Sequence, residues 1–128
     1  MKYLLDTHIL LWYVNDDVSR LKNILIYIND ENNEIFVSIA SLWEIAIKTK
    51  INKLTLKIDL SSFISNHIYG NNFTILDINK NHIIKLSGLD LFHKDPFDRI
   101  LISQSLFEDI PIISIDEKFD LYKIKRLF

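Results

Sequence analysis

Cysteine is absent from this 128-residue chain, which excludes disulfides, zinc–thiolate centres, iron–sulfur clusters and thiol nucleophiles together. Glycine and proline are scarce, at 2 each, and no internal repeat, low-complexity tract or Pro/Ser-rich linker interrupts the pattern. Neither sign of charge dominates: 15 basic residues face 17 acidic ones, a formal net of −2. That balance excludes a generic basic coat for nucleic acid, though not a local nucleic-acid site. Long hydrophobic runs are missing too. The longest, Ile9–Val14 and Ile24–Ile28, fall far short of the roughly 20 residues that span a bilayer. The opening Met1-Lys2-Tyr3-Leu4-Leu5-Asp6 meets an acid too early for the apolar core of a secretory signal. The expectation is a soluble cytoplasmic protein with no membrane contact, and the lack of cysteine is compatible with a reducing compartment.

What is present is enough to fold. Apolar residues make up 48 % of the chain and charged residues 25 %, a globular composition at the length of one ordinary domain, taken here as residues 1–128. Short β-rich runs alternate with longer helical stretches. Tyr3–Leu5 reads as a strand and His8–Val14 as a short helix; Leu21, Ile24, Leu25 and Ile28 fall at helical spacing, with Ser19 placed to cap. Glu34–Ser38 reads as a second strand and Ser41–Ile51 as an amphipathic helix whose core face is Trp43, Ala46 and Ile47. Leu60–Tyr69 reads as a helix stopping at Gly70, Phe73–Ile78 as a strand and Asn79–Leu89 as a helix. Pro96–Phe107 is the best-signalled helix, Ile112–Ile115 a buried strand and Ile124–Phe128 an edge strand. Apolar strands separated by helices imply an α/β fold, with a mostly parallel sheet covered on each face.

In such sheets sites form beyond the carboxyl ends of the strands, and four segments carry acids there. Asp6 ends the first strand, Asp116 follows Ile112–Ile115, Glu44 lies one turn into the helix after the second strand, and Asp98 sits in the first turn after Pro96. Each has a plain structural explanation. Asp6 and Asp116 stand where helix N-caps belong. Glu44 has Lys48 at i+4, an ordinary exposed ion pair. Asp95-Pro96-Phe97-Asp98 reads as an N-cap, a proline at N1 and an acid at N3. Independent caps need not share one rim, however, and crowded carboxylates repel unless something neutralises them. A divalent cation does so, and with oxygen donors and no cysteine the site suits Mg²⁺ or Mn²⁺.

The runs Leu4-Leu5-Asp6-Thr7-His8, Ser41-Leu42-Trp43-Glu44-Ile45, His93-Lys94-Asp95-Pro96-Phe97-Asp98-Arg99 and Ile113-Ser114-Ile115-Asp116 resemble the PIN-domain family, and more closely the VapC-type toxins of toxin–antitoxin pairs. The resemblance spans essentially the whole chain, and its His-x-Asp-Pro-Phe-Asp-Arg run is the specific part. It implies a three-layer α/β/α sandwich around a parallel sheet and a metal-dependent endoribonuclease. Its acidic site falls on Asp6, Glu44, Asp98 and Asp116, with Asp6 and Asp98 as principal metal ligands. Asp95 is read as a cap with an outer role. The resemblance also implies a homodimer, and an antitoxin protein laying a segment in an apolar groove that reaches the acidic rim.

Hydrolysis of an RNA phosphodiester needs a nucleophile near neutral pH and stabilisation of charge on the phosphoryl oxygens, and Mg²⁺ or Mn²⁺ supplies both. Two divalent cations on four carboxylates would change the formal net charge from −2 to +2, since they add four positive charges. Lys48, Lys50, Lys53, Lys57 and Arg99 are candidates for contacting flanking phosphates, the lysines reading equally as a solvated helix face and loop, and Thr7 is placed to orient a water or cap its helix. His93 is read as exposed and incidental; His8, His67 and His82 lack metal-ligand spacing. Trp12 and Trp43 read as core or partner-facing residues, and Ser103, Gln104 and Ser105 lie in no nucleophile elbow. Two rivals lack residues they need. A phospho-receiver domain wants paired acids after the first strand and a late lysine, and an Asp-x-Asp phosphatase wants a second aspartate where His8 stands. A PIN-like module that binds RNA or protein without cutting stays open.

Overall fold

The computed structural model describes residues 1–128. Its centre is a five-stranded, wholly parallel sheet in the order β3-β2-β1-β4-β5. The strands are β1 (Lys2–Leu5), β2 (Glu34–Ser38), β3 (Thr74–Leu76), β4 (Ile112–Ile113) and β5 (Arg126–Leu127). Six α-helices connect and cover them: α1 (Thr7–Val14), α2 (Leu25–Ile28), α3 (Ile39–Lys50), α4 (Leu60–Phe63), α5 (Lys80–Ser87) and α6 (Pro96–Glu108). No helix is long and apolar enough to cross a membrane.

Strand side chains alternate between the two faces, and here both faces are apolar. Tyr3, Leu5, Ile35, Val37 and Ile113 enter one core with Ile9, Leu10, Ile45 and Phe63. Leu4, Phe36 and Ile112 enter the other with Ile100, Leu101 and Phe119. This is the expected three-layer α/β/α sandwich. Strand order matters for the rivals. A phospho-receiver domain has the order 2-1-3-4-5, which this sheet does not have.

The order reverses between β1 and β4: the chain builds outward from β1 to β3, then crosses back to place β4 and β5 on the other side of β1. Ligands of open parallel sheets bind in the crevice at such a reversal. The Asp6 N–H donates to Ile113 O at 3.0 Å, so the end of β1 and the end of β4 are locked side by side at that crevice.

Several boundaries differ from the sequence expectation. The Leu21–Ile28 stretch is helical only over Leu25–Ile28; Leu21, Ile24 and Ile28 are buried as their spacing predicts, but in successive turns. Ser19 caps nothing, because its hydroxyl donates to Asp17 Oδ1. After α4 the chain continues as a π turn, Ile64–Ile68, and a 3-10 turn, Tyr69–Asn71. The reversal falls on Asn72, at φ 59°, not on Gly70, because asparagine also tolerates the left-handed region. β4 stops at Ile113, and Ile115 is half-exposed. Ser114 there has a different partner, described below.

A buried polar chain fixes α3 against α5 and α6. Ser38, the N-cap of α3, accepts the Ala40 N–H and donates its hydroxyl to Gln104 Oε1 at 2.6 Å. Gln104 Nε2 donates to Asp77 O at 3.3 Å. Fully buried His82 accepts the Asn79 N–H on Nδ1, so its Nε2–H faces Glu108 Oε1 at 3.0 Å. Gln104→Leu leaves the fully buried Ser38 hydroxyl without its acceptor. It is expected to lower stability by about 1–3 kcal/mol, read as a reduced urea midpoint with an unchanged slope.

Candidate metal centre

Asp6 sits at the N-cap of α1 with extended backbone, φ −64° and ψ 150°, yet its side chain makes no capping bond. The capping explanation therefore fails for this residue. Its Oδ2 accepts the Ser114 hydroxyl at 2.7 Å, and its Oδ1 is buried with no partner at all. Burial pushes this carboxyl above its ordinary range, against the opposing Ser114 hydrogen bond. Ser114 was not anticipated as a site residue. Its only sequence signal is its place between β4 and Asp116, where it also accepts the Asp116 N–H at 3.0 Å.

Glu44 corrects the reading of its helix. Trp43 and Ile47, expected in the core, are 52 % and 39 % exposed, while Leu42, Ile45 and Glu44 are buried. α3 crosses the sheet end with Ala40 in one core and Leu42 and Ile45 in the other, which turns Glu44 inward. Trp43 instead stacks edge-on against Phe97 of α6, with ring centres 5.1 Å apart. The Lys48 ammonium pairs with Glu44 Oε2, so this is no exposed surface pair. That hydrogen bond raises the Lys48 ammonium above its usual range, with burial opposing it and the charges of Glu44, Asp95 and Asp98 adding to it. Glu44 Oε1, like Asp6 Oδ1, is buried without a partner.

The N-terminus of α6 carries Asp98. Asp95 caps the helix as expected, accepting the N–H groups of Phe97 and Asp98 at 2.9 and 3.0 Å, with Pro96 at N1. Asp98 is thereby free of a capping role. Burial, followed by the charges of Asp6, Asp95, Glu44 and Asp116, pushes its carboxyl up to about 8. The charges of the other three expected site acids, Asp6, Glu44 and Asp116, therefore all reach Asp98, while the compact cluster of ligand atoms holds only Asp98 and Asp116 of the four.

Asp116 does cap, accepting the Lys118 N–H on Oδ1 at 3.0 Å. Its Oδ2 lies 2.9 Å from His93 Nε2. Burial works to raise this carboxyl, but the His93 hydrogen bond, the Lys118 N–H and the nearby charges outweigh it and hold it below the ordinary range. His93 is neither exposed nor incidental. It is 6 % exposed, and its Nε2 also lies 3.2 Å from Asp98 Oδ2. Phe119 and the Tyr122 hydroxyl, from the C-terminal segment, enclose it. One ligand atom each from His93, Asp98 and Asp116 lies within 4.8 Å of the other two.

Three of the residues expected at RNA, Thr7, Lys48 and Arg99, are bonded within the protein. Thr7 donates to Ser41 Oγ at 2.8 Å, tying α1 to α3. Lys48 is held by Glu44, while Lys50, Lys53 and Lys57 are exposed. The Arg99 guanidinium donates to the carbonyls of Leu89, Asp90 and His93. Arg99→Lys is expected to cost about 1.5–3 kcal/mol, because lysine lacks the fork that reaches three carbonyls. The measurement is thermal unfolding. A variant that melts like the wild type, with a shallower salt dependence of RNA binding, would return Arg99 to a phosphate-contact role.

The donor set fits a divalent cation. Two buried carboxylate oxygens lack partners, and buried polar atoms of that kind are rare in folded proteins. A raised Asp98 shows how unfavourably the negative charge is compensated by protein alone. The oxygens are hard donors, suited to Mg²⁺ or Mn²⁺.

The PIN domain family model matches residues 3–125. No curated protein matches the chain by sequence. Among solved structures, VapBC2 from Rickettsia felis, bound to a DNA fragment from its promoter, aligns with a TM-score of 0.70 and 19 % identity over 99 % of this chain and 98 % of that one. VapBC-1 from nontypeable Haemophilus influenzae aligns at 0.64 with 15 % identity, over 99 % of this chain and 97 % of its own. DNA-bound VapBC from Salmonella typhimurium aligns at 0.66 with 11 % identity and the same coverages. At these identities the likeness is one of fold.

Proposed function

The chain belongs to the PIN domain family, and from that membership together with its acidic rim we propose that it is a metal-dependent endoribonuclease, the toxin of a toxin–antitoxin pair. The observation that carries this reading is the pair of unpartnered buried oxygens, Asp6 Oδ1 and Glu44 Oε1, on acids whose charges help to raise Asp98.

Asp6, Glu44, Asp98 and Asp116 would hold Mg²⁺ or Mn²⁺. The cation supplies a water acidic enough to attack near neutral pH and positive charge for the oxygens of the scissile phosphate. Ser114 fixes the Asp6 carboxylate through Oδ2 and leaves Oδ1 without a protein partner. Lys48 offsets the charge of Glu44 on one oxygen and leaves the other free. Asp98, raised to about 8, would have to be deprotonated to hold the cation. Attack by water leaves a 5′-phosphate and a 3′-hydroxyl and does not use the ribose 2′-hydroxyl.

The partner is a small antitoxin protein in the same cytoplasm, and the toxin pairs as a homodimer. A cavity of about 440 Å³ lined by Trp43, Leu86, Leu91, Lys94, Phe97 and Ile100 is the proposed seat of the antitoxin segment. Trp43 and Phe97 stand on α3 and α6, the helices that carry Glu44 and Asp98, so a chain lying there would run along the helices that present two of the acids.

The test is cleavage of total cellular RNA by protein stripped of any co-purifying partner, with Mg²⁺ or Mn²⁺ and beside a chelator control. Discrete fragments with 5′-phosphates that disappear with chelator support the reading. Metal binding without cleavage would turn it into a non-catalytic RNA- or protein-binding module.

A further inference from the structure

We infer that His93 is a positioning residue of the acidic rim: its imidazole Nε2–H holds Asp98 and Asp116 at the spacing in which they receive a divalent cation. The inference rests on the metal-nuclease reading and assigns a role outside its four acids.

The argument starts from the other ring nitrogen. His93 Nδ1 lies 3.2 Å from the backbone nitrogen of Asp95. An amide N–H only donates, so Nδ1 must offer a lone pair, and the ring proton sits on Nε2. That nitrogen faces Asp116 Oδ2 at 2.9 Å and Asp98 Oδ2 at 3.2 Å. It therefore donates to Asp116, with Asp98 Oδ2 within ion-pair distance of the same nitrogen, and a protonated nitrogen has no lone pair for a metal. Although its ring belongs to the compact His93, Asp98 and Asp116 cluster, the tautomer places it behind the carboxylates and not among the ligands.

The ring is held firmly enough for this role. The His93 N–H donates to the Tyr122 hydroxyl at 2.9 Å, and its carbonyl accepts from Arg99 Nη1 at 3.3 Å. One face packs on Phe119, with ring centres 5.6 Å apart. The segment also closes on itself. The Asp95 N–H fixes the His93 tautomer, the Asp95 carboxylate caps α6 by accepting the Asp98 N–H, and the Asp98 carboxyl lies 3.2 Å from His93 Nε2. Asp95 thus links His93 to Asp98 by hydrogen bonds on both sides, and the histidine lies against the acid that the helix start presents. Asp116 gains most from this. Its Oδ1 is occupied by the Lys118 N–H, so the direction of Oδ2 depends on His93.

The experiment reads metal binding and spectroscopy, with RNA cleavage as an accompaniment. In the metal-free wild type, a long-range proton–nitrogen correlation spectrum should show His93 protonated on Nε2. With Mn²⁺ added, pulsed electron paramagnetic resonance should show binding but no directly coordinated nitrogen. His93→Ala should weaken Mn²⁺ binding by about 10–100-fold, the usual cost of losing an outer partner. His93→Gln, which keeps an N–H donor at similar reach, should recover most of that affinity and of the cleavage rate. A strong nitrogen coupling would make His93 a ligand and overturn the proposal. So would a His93→Ala protein that binds Mn²⁺ as the wild type does, or a glutamine variant as weak as alanine. If His93→Ala fails to fold, the two wild-type spectra still decide. A wild type that binds no Mn²⁺ overturns this inference and the nuclease reading together, whereas intact binding without a His93 effect overturns the inference alone.

Discussion

Asp98→Asn is expected to abolish RNA cleavage and, in the same protein without metal, to raise the melting temperature. The two effects share one cause. Burial and the surrounding carboxylates push Asp98 up to about 8 from an ordinary 3.8. Between those values the folded protein holds a proton that the unfolded chain has lost, so stability falls as pH rises through the window. Above pH 8 the folded state carries the full cost of a charge that only a cation relieves. Asparagine keeps the shape and removes the charge, which should stabilise the metal-free protein by about 1–3 kcal/mol at pH 8, below the ceiling of roughly 5 kcal/mol that about 1.36 kcal/mol for each of the four units from 3.8 to about 8 would set. At this size that is a rise of roughly 3–10 °C. Cleavage should fall by more than the about 10–100-fold that loss of an outer partner costs, because asparagine does not replace a carboxylate ligand. Asp6→Asn should lose cleavage similarly. Thermal unfolding in chelator and RNA cleavage in Mn²⁺ check both halves. An Asp98→Asn variant that is less stable without metal, or that still cuts, would show that Asp98 is structural.

That opposition between folding and function also explains which parts of the site were legible in the sequence. Alternation in β1 and β2 put apolar residues on both faces, and the buried sheet followed directly. Asp95-Pro96 announced the start of α6 because a cap and a proline at N1 are local devices. Asp6 was ambiguous for the same reason: a cap and a ligand both want aspartate just after a strand, and only the bare Oδ1 separates them. Glu44 was assigned to the wrong arc because α3 is apolar on both, with Leu42 and Ile45 on one and Trp43 and Ile47 on the other. Which arc is buried depends on how the helix crosses the sheet end. His93 was read as exposed because its cover, Phe119 and Tyr122, lies 26 and 29 residues away and reaches it only once β4 is placed. Local pattern reveals elements and candidate acids, but their partners across the crevice depend on topology.

Metal affinity should carry the signature of the same raised carboxyl. To accept a cation, Asp98 must release the proton it holds below about pH 8, so binding and deprotonation are linked. With one proton displaced per cation, the apparent Mn²⁺ dissociation constant should fall about tenfold for each pH unit between roughly 6 and 7.5, then flatten above 8. Asp116 adds little slope in that range, because its carboxyl is held below the ordinary value and is already ionised. Asp98→Asn has no such proton to lose, so its weaker binding should be nearly independent of pH over the same interval. Isothermal titration in two buffers of different ionisation enthalpy measures the protons released directly. The expected result at pH 6.5 is close to one proton per cation in the wild type and close to none in the variant. A wild-type profile as flat as the variant's would mean that Asp98 is already charged before the cation arrives. The crowding at the rim would then be relieved by the protein alone, through Lys48 and His93, leaving the unpartnered oxygens of Asp6 and Glu44 as the only remaining demand for a metal.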